Sequence, residues 1–424
     1  MPLELSPQDR VALEGGRGDA VRLAMRIVTA MAEMAGADHL LDVTSAHVDG
    51  CLYHGRAGLD FARRLLDRGA TVAVPTTLNV SSLDLLHPEL VRLDEPTATD
   101  ARSLMDAYVA MGCRPTWTCA PYQLPARPAL GEHVAWAESN AIVFANSVLG
   151  ARTDRYGDFM DACCAVTGRA PAAGLHLDEH RRARAVFTIE DVADRLLADE
   201  VASAAIGHLV GRATGPLVPA VVGLLPASAT TEDHLKALGA AAASSGSVAM
   251  VHAVGITPEA PTLEAATGGA PVHLSMTIGP ADLRAARDEL STIGTGAAIG
   301  AVSVGTPHCS VAEFEGLAKL ADGRRFAVPF YVNTGRDILA EAEQRGTARV
   351  IVDAGATIVT DTCTYITPVI LDGIGPVVTN SGKWAWYAPG NMGLDVAFAS
   401  LNECVRSAVA GHLVRDESLW GPDD

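Results

Sequence analysis

The sequence has 424 residues, 49% hydrophobic and 19% charged, enough apolar material for a core in one large or two ordinary domains and too much for a disordered or fibrous chain. Lys and Arg number 32 against 50 Asp and Glu, a formal charge of -18 that repels phosphate backbones and anionic headgroups, so neither nucleic-acid nor membrane partners are expected. Residues 1–10 are acidic and carry a proline where an export leader needs basic and then apolar residues, so a cytoplasmic protein with reduced thiols is expected.

From the N-terminus, Ser6-Pro7 opens a helix whose apolar stripe runs through Leu13, Val21, Ala24, Met25, Ile27, Met31 and Met34. Residues 39–43 form a short apolar strand, 59–66 an amphipathic helix closed by Arg68-Gly69, and 71–75 a second strand, which together make a β-α-β unit. Further strands are expected over 217–225, 248–254, 297–304, 326–331, 350–352 and 357–359, most followed by helical patterns. This alternation predicts an α/β protein of parallel or mixed sheets covered by helices. The uncharged stretch 237–258 is mostly Ala, Gly and Ser and contains His252, so it reads as a buried helix and strand and not a membrane span. Gly, Pro, Thr and Ala crowd residues 255–271 like a linker, which predicts two regions, 1–262 and 263–424. Residues 416–424 read as a polar tail.

In open parallel sheets, ligands collect at the carboxyl ends of strands. The loop 44–55 there carries Ser45, His47, Asp49 and Cys51, and the loop 76–82 carries Asn79 and Ser81; a simple capping turn explains either equally well. Cys119, Cys309 (in Thr306-Pro307-His308-Cys309-Ser310) and Cys363 (in Asp361-Thr362-Cys363) each follow an extended run. Three strand ends with one soft donor each can assemble an iron-sulfur cluster or a mononuclear metal site, although lone cysteines more often fill core. Cys163 and Cys164 are helical neighbours that diverge around the axis, and Cys404 reads as core. Glu138, Ser139, Asn140, Asn146 and Ser147 interrupt an apolar helical pattern and need a ligand, water or one another if buried. Arg152 and Arg155 offer forks for a carboxylate. Lys383, in Thr379-Asn380-Ser381-Gly382-Lys383, is one of three lysines with Lys236 and Lys319. It lacks the glycine spacing of a phosphate loop, and Ile299 breaks the dinucleotide fingerprint begun by Gly294-Thr295-Gly296.

Together, Ser45 through Cys51, Thr118-Cys119-Ala120-Pro121-Tyr122, Gly131-Glu132 through Arg152, Thr306 through Ser310, Asp361-Thr362-Cys363 and Thr379 through Lys383 resemble the catalytic large subunit of aconitase X, over residues 40–390. The resemblance implies an aconitase-like fold and a hydro-lyase that uses an iron-sulfur centre, with mononuclear iron as the alternative, as Lewis acid. The substrates it implies are cis-3-hydroxy-L-proline, the preferred reading because the polar loops are poor in cations, or mevalonate 5-phosphate; a related dehydratase of secondary metabolism and a non-catalytic scaffold are the other readings. It places Cys119, Cys309 and Cys363 on iron, with Cys51 as substitute, and His47, Ser45 and Lys383 among the catalytic groups. Asn79, Ser81, Glu138, Ser139, Asn140, Asn146, Arg152 and Ser381 fall to substrate binding. Family members are completed by a small swivelling domain, fused or separate, with a catalytic serine in a Ser-Phe-Trp-Gly-Gly context. That motif does not occur here, so a separately encoded small subunit is the expected partner. Trp386 stands where the family pattern has histidine.

Overall fold

A computed structural model describes residues 3–421. Ser6 caps the Pro7–Glu14 helix, accepting the Asp9 N–H at 3.1 Å while the Asp9 carboxylate reaches back to the Ser6 N–H. The apolar stripe read as one helix is two, because Gly15 turns left-handed at φ 97° and a second helix starts at Asp19 and runs to Met34. The chain divides into two units: one runs to Leu83 and resumes over Leu93–Arg181, the other takes Asp84–Arg92 and the chain from Arg182 onward.

The first unit holds β1 (Leu40–Asp42), β2 (Ala46–Val48), β3 (Thr76–Leu78), β4 (Ala135–Trp136) and β5 (Arg169–Pro171). β2 is the centre of a parallel sheet in the order β3-β2-β4, and β1 pairs antiparallel with β5. The β-α-β unit is therefore β2, the Arg56–Leu66 helix and β3, displaced from the expected strands at 39–43 and 71–75. Residues 71–75 are not a strand: the Val72 and Ala73 N–H groups donate to the carbonyls of Met111 and Ala165.

In the second unit β6 (Ala185–Ile189), β7 (Pro219–Val222), β8 (His252–Ala253) and β9 (Leu274–Ile278) form a parallel sheet in the order β8-β7-β6-β9. A second parallel sheet takes β10 (Ala301–Cys309), β11 (Phe330–Thr334), β12 (Ala356–Val359), β13 (Val377–Thr379) and β14 (Val396–Phe398) in the order β12-β11-β10-β13-β14. The strand order reverses between β10 and β13, which opens a crevice at their carboxyl ends. β10 is buried along its whole length, and Val302, Val304, Phe314, Phe330 and Val332 form the core beneath it. The Glu200–Thr214 and Glu232–Gly246 helices pack so closely that a Cβ on Gly207 would lie 2.1 Å from the Leu238 carbonyl oxygen.

Three expectations change here. Residues 350–352 lie in the Thr347–Asp353 helix, not in a strand. The boundary at 262/263 falls inside the second unit, where Thr262 caps the Leu263–Thr267 helix; Gly255 at φ 80° and Thr257, bonded back to Ala253, make a turn of what reads as a linker. The polar tail is docked as far as it is described: the Trp420 ring is buried, Arg284 donates to the Trp420 carbonyl at 2.8 Å and Arg195 to that of Ser418 at 3.0 Å. No helix among the described residues is long and apolar enough to cross a membrane.

Candidate active site

In the first unit, β2 and β3 deliver His47 and Asn79 side by side. His47 is fully buried, with Nδ1 2.8 Å from Thr77 Oγ1, and its Nε2 has no hydrogen-bond partner among the described residues. Burial pushes its pKa down to about 3, so the imidazole is neutral at working pH. Asn79 donates its amide to Asp49, while burial and then the Glu138 charge lift the Asp49 pKa to about 8. Ser45, half-buried just before β2, accepts the Ala135 N–H at 2.9 Å on its backbone carbonyl.

Glu138 sits at φ 74° and caps the Ser139–Phe144 helix, accepting the N–H groups of Asn140 and Ala141 at 3.0 and 3.1 Å. Ser139 Oγ lies 3.4 Å from Glu138 Oε1. Asn140 donates to the Cys119 carbonyl at 3.0 Å and accepts the Tyr122 hydroxyl at 2.6 Å, so the amide fixes the loop that carries Cys119. The helix continues as a π turn, Ala145–Leu149, where Asn146 holds the Thr153 backbone at both ends of its amide and also accepts from Arg181 at 3.0 Å.

Several residues expected to bind substrate or metal are thus occupied within this unit. Asn146 is consumed by Thr153 and Arg181, and Ser81 exchanges hydrogen bonds with the Leu83 backbone. The Arg152 guanidinium pairs with Asp178 and donates at 2.9 Å to the His176 carbonyl. The Cys51 thiol donates to the carbonyls of Asn79 at 3.3 Å and Val48 at 3.5 Å, and burial raises its pKa well above the usual thiol range.

In the second unit, the carboxyl ends of β10 and β12 bring His308 and Cys363 together, with their donor atoms within 4.8 Å of one another. Both are buried. His308 Nε2 lies 3.1 Å from the Thr362 carbonyl oxygen, so it carries the proton and leaves the lone pair on Nδ1. Burial lowers the His308 pKa to about 4, which keeps that lone pair available. The loop around Cys363 is tightly pinned: Thr364 N–H donates to Asn333 at 3.1 Å, Thr364 Oγ1 accepts the Trp384 indole at 3.0 Å, and Asp361 is paired with Arg336 through two contacts of 2.7 Å. Cys309 does not join the His308 and Cys363 pair. Successive residues on a strand face opposite ways, and Cys309 lies beside Gly305, where an added Cβ would be 2.8 Å from its sulfur. His308, rather than Cys309, is the neighbour that could join Cys363 in holding an ion. The sequence pointed to this segment through Cys309, and the neighbouring His308 carried no signal of its own as a donor.

The crevice where strand order reverses is a pocket of about 330 Å³ lined by Glu200, Lys236, Thr306, Asn380, Ser381 and Lys383, among others. Ser381 caps the Gly382–Met392 helix and donates to the Thr306 carbonyl, while the Lys383 ammonium lies 5.5 Å from the Tyr365 ring centroid. Lys236, buried in the opposite wall, is shared by Glu313 and, at 2.9 Å, Asp233. Glu200 and Lys236 were missed as site residues; the scarcity of lysine was the available signal. Trp386 packs against His208 and under the Arg212 guanidinium, 5.3 Å from each, and does not line the pocket.

Buried soft donors and a charged crevice at the carboxyl ends of parallel strands define an α/β protein with a candidate metal-dependent active site. Family models for the first, second and third domains of aconitase X match residues 2–179, 183–288 and 299–410, and the chain belongs to the aconitase X family. It is 44% identical over 420 residues to a cis-3-hydroxy-L-proline dehydratase of Pseudomonas aeruginosa, covering 98% of this chain and 72% of that protein. It is 37% identical to a phosphomevalonate dehydratase large subunit of Methanothermobacter thermautotrophicus, covering 93% of this chain and 96% of the relative. The crystal structure of Thermococcus kodakaraensis aconitase X in its holo-form matches with a TM-score of 0.82 at 31% identity, over 96% of this chain and 100% of that one.

Proposed function

We propose that this chain is the catalytic large component of a hydro-lyase that dehydrates cis-3-hydroxy-L-proline. The observation that carries the reading is the His308 and Cys363 pair buried beside a lysine-bearing crevice, in a chain 44% identical to a dehydratase of that substrate. Cys363, His308 and Cys119 are the residues we assign to an iron centre, an iron-sulfur cluster or a single iron; thiolate and imidazole are the donors such a centre takes, and the fixed His308 tautomer suits it. When bound, the iron would polarise the hydroxyl that leaves.

The chain's own groups bind and orient. Lys383 and the N-terminus of the Gly382–Met392 helix receive the substrate carboxylate, and Ser381 holds that helix end against the end of β10. The second unit's side chains Asn333 and Thr364 keep the Cys363 loop in place. His47, neutral and buried, serves as a neutral hydrogen-bonding group, since an imidazole held near pKa 3 supplies no proton at working pH. The α-proton goes to a base on a separately encoded small subunit, a reading supported by the large-subunit relatives that match this chain nearly end to end. The eight cysteines, all buried and none joined in a disulfide, fit a cytoplasmic setting.

The test is to co-express the chain with candidate small subunits, purify anaerobically, and assay dehydration of cis-3-hydroxy-L-proline and mevalonate 5-phosphate side by side. Turnover of the hydroxyproline alone supports the proposal. Turnover of the phosphorylated substrate alone, or of neither, rejects it.

A further inference from the structure

Between Leu83 and Leu93 the chain leaves the first unit and lends the segment Asp84–Arg92 to the second. This strap is tied to the loop that carries Cys363, and the ties fall on both sides of the cysteine. Before it, the Asp84 carboxylate accepts the Thr360 N–H and the Thr360 hydroxyl, each at 2.9 Å, and the Leu85 N–H donates to the Asp361 carboxylate at 3.0 Å. After it, the Arg92 N–H donates to the Pro368 carbonyl at 3.1 Å and the Arg92 guanidinium to the carbonyl of Val369.

Asp84 is the centre of these ties. It is 1% exposed, and its carboxylate also accepts the N–H groups of Leu86 at 2.9 Å and His87 at 2.8 Å, with His87 Nδ1 3.3 Å away. Burying a carboxylate is costly unless charge-assisted hydrogen bonds meet it, and here backbone and hydroxyl donors converge on both of its oxygens. Only an acceptor-only side chain can take all of them; an asparagine would turn an NH2 group toward some of the same donors.

What Asp84 holds leads directly to the metal-ligand pair. The residue after Thr360 is Asp361, at φ 60° in the left-handed region, where a non-glycine residue stays only when its surroundings hold it. Next comes Thr362, whose carbonyl oxygen lies 3.1 Å from His308 Nε2 and fixes that tautomer, and then Cys363 itself. A shift at Thr360 therefore moves the Cys363 thiol and withdraws the carbonyl that orients His308.

From this arrangement we infer that the Asp84–Arg92 strap is the clasp that sets the metal-ligand loop, with Asp84 as its positioning residue, acting through Thr360 on Cys363 and through the Thr362 carbonyl on His308. The inference rests on the iron reading above and extends it to a partner outside the ligand set, the kind of group that orients ligands and tunes how firmly they hold a metal.

The experiment uses the full chain, purified anaerobically with its iron, and follows transfer of iron to a ferrous chelator together with the visible spectrum and the thermal midpoint. Asp84→Asn keeps the shape and removes the charge; it should release iron about 10-fold to about 100-fold faster than wild type, the usual effect of losing an outer partner of a metal ligand, and its spectrum should shift. Thr360→Val removes the hydroxyl tie and leaves the backbone one, so its release rate should lie between the two. Gly207→Ala, which strains two helices far in sequence from this loop, should lower the thermal midpoint and keep the wild-type release rate and spectrum, and so separates loss of stability from a displaced ligand loop. Should Asp84→Asn not fold, Thr360→Val carries the test by itself. Wild-type release and spectrum in both loop variants, or release from Gly207→Ala as fast as from Asp84→Asn, overturns the inference. Iron-free wild-type protein would remove the iron reading and the inference with it, whereas iron-bearing wild type with indifferent loop variants removes the inference alone.

Discussion

Replacing Asn140 by alanine separates two roles for a residue that sequence patterning assigns to substrate. Its amide is 2% exposed, donates to the Cys119 carbonyl at 3.0 Å and accepts the Tyr122 hydroxyl at 2.6 Å. Truncation removes one buried hydrogen bond from each group, and each such loss costs about 1–2 kcal/mol, so Asn140→Ala should destabilise the first unit by about 2–4 kcal/mol. Tyr122→Phe removes one of the two contacts and should cost about 1 kcal/mol. The double variant should then lose less than the sum, because the shared bond is counted once. Urea unfolding followed by the fluorescence of the buried Trp117 and Trp136 reads the effect directly. Iron content measured on the same samples should fall with Asn140→Ala, since the Cys119 loop loses its tether. An unchanged urea midpoint together with a raised KM would refute this reasoning and return Asn140 to the substrate.

Three further outcomes follow from the geometry. Gly207→Ala should cost about 3 kcal/mol or more, seen as a lower thermal midpoint, because its Cβ would meet the Leu238 carbonyl oxygen at 2.1 Å and two helix backbones cannot easily part. Asp49 holds its proton to about pH 8 when folded against about 3.9 for an ordinary aspartate, so the folded chain binds more protons across that window and stability declines as pH rises through it. The slope is at most about 1.4 kcal/mol per pH unit for one group, and Asp49→Asn should flatten it between about pH 6 and about pH 8 in urea titrations. Arg152→Lys should lower thermal stability and leave KM for the hydroxy acid unchanged, because its guanidinium holds the His176 carbonyl and Asp178; a raised KM with unchanged stability would restore its role as a carboxylate clamp.

Much of the fold was legible because its signals are local. The Ser6 cap, the Arg56–Leu66 helix, and strands at β1, β7, β10 and β12 lie where cap chemistry and apolar runs put them. What failed depended on tertiary partners: residues 71–75 are apolar enough for a strand, but their N–H groups meet loop and helix carbonyls, and β9 escaped notice because its middle faces solvent. The candidate site was legible as a set of segments more than as a set of atoms. Thr306 through Cys309, Asp361 through Cys363 and Asn380 through Lys383 all lie where the second unit gathers its donors and its crevice. Within them, which of His308 and Cys309 turns toward Cys363 is decided by the facing of one strand residue, and composition carries no trace of it. Asn146 looked functional because a buried polar group demands partners, and the protein itself supplies them through Thr153 and Arg181. Glu200 and Lys236 are far in sequence from β10 and meet it only through helix packing.

The most direct test of the central claim is the iron and acid-labile sulfide content of anaerobically purified protein, with dehydratase turnover measured on the same samples, for wild type, Cys363→Ser, His308→Ala and Cys309→Ser. Serine is a poor ligand for a soft iron centre. The expected result is a coloured, iron-bearing wild type that dehydrates cis-3-hydroxy-L-proline with its small subunit, loss of iron and turnover in Cys363→Ser and His308→Ala with the fold intact, and retention of both in Cys309→Ser. Iron-free wild-type protein with full turnover, or a centre lost with Cys309 and kept without His308, would contradict the account.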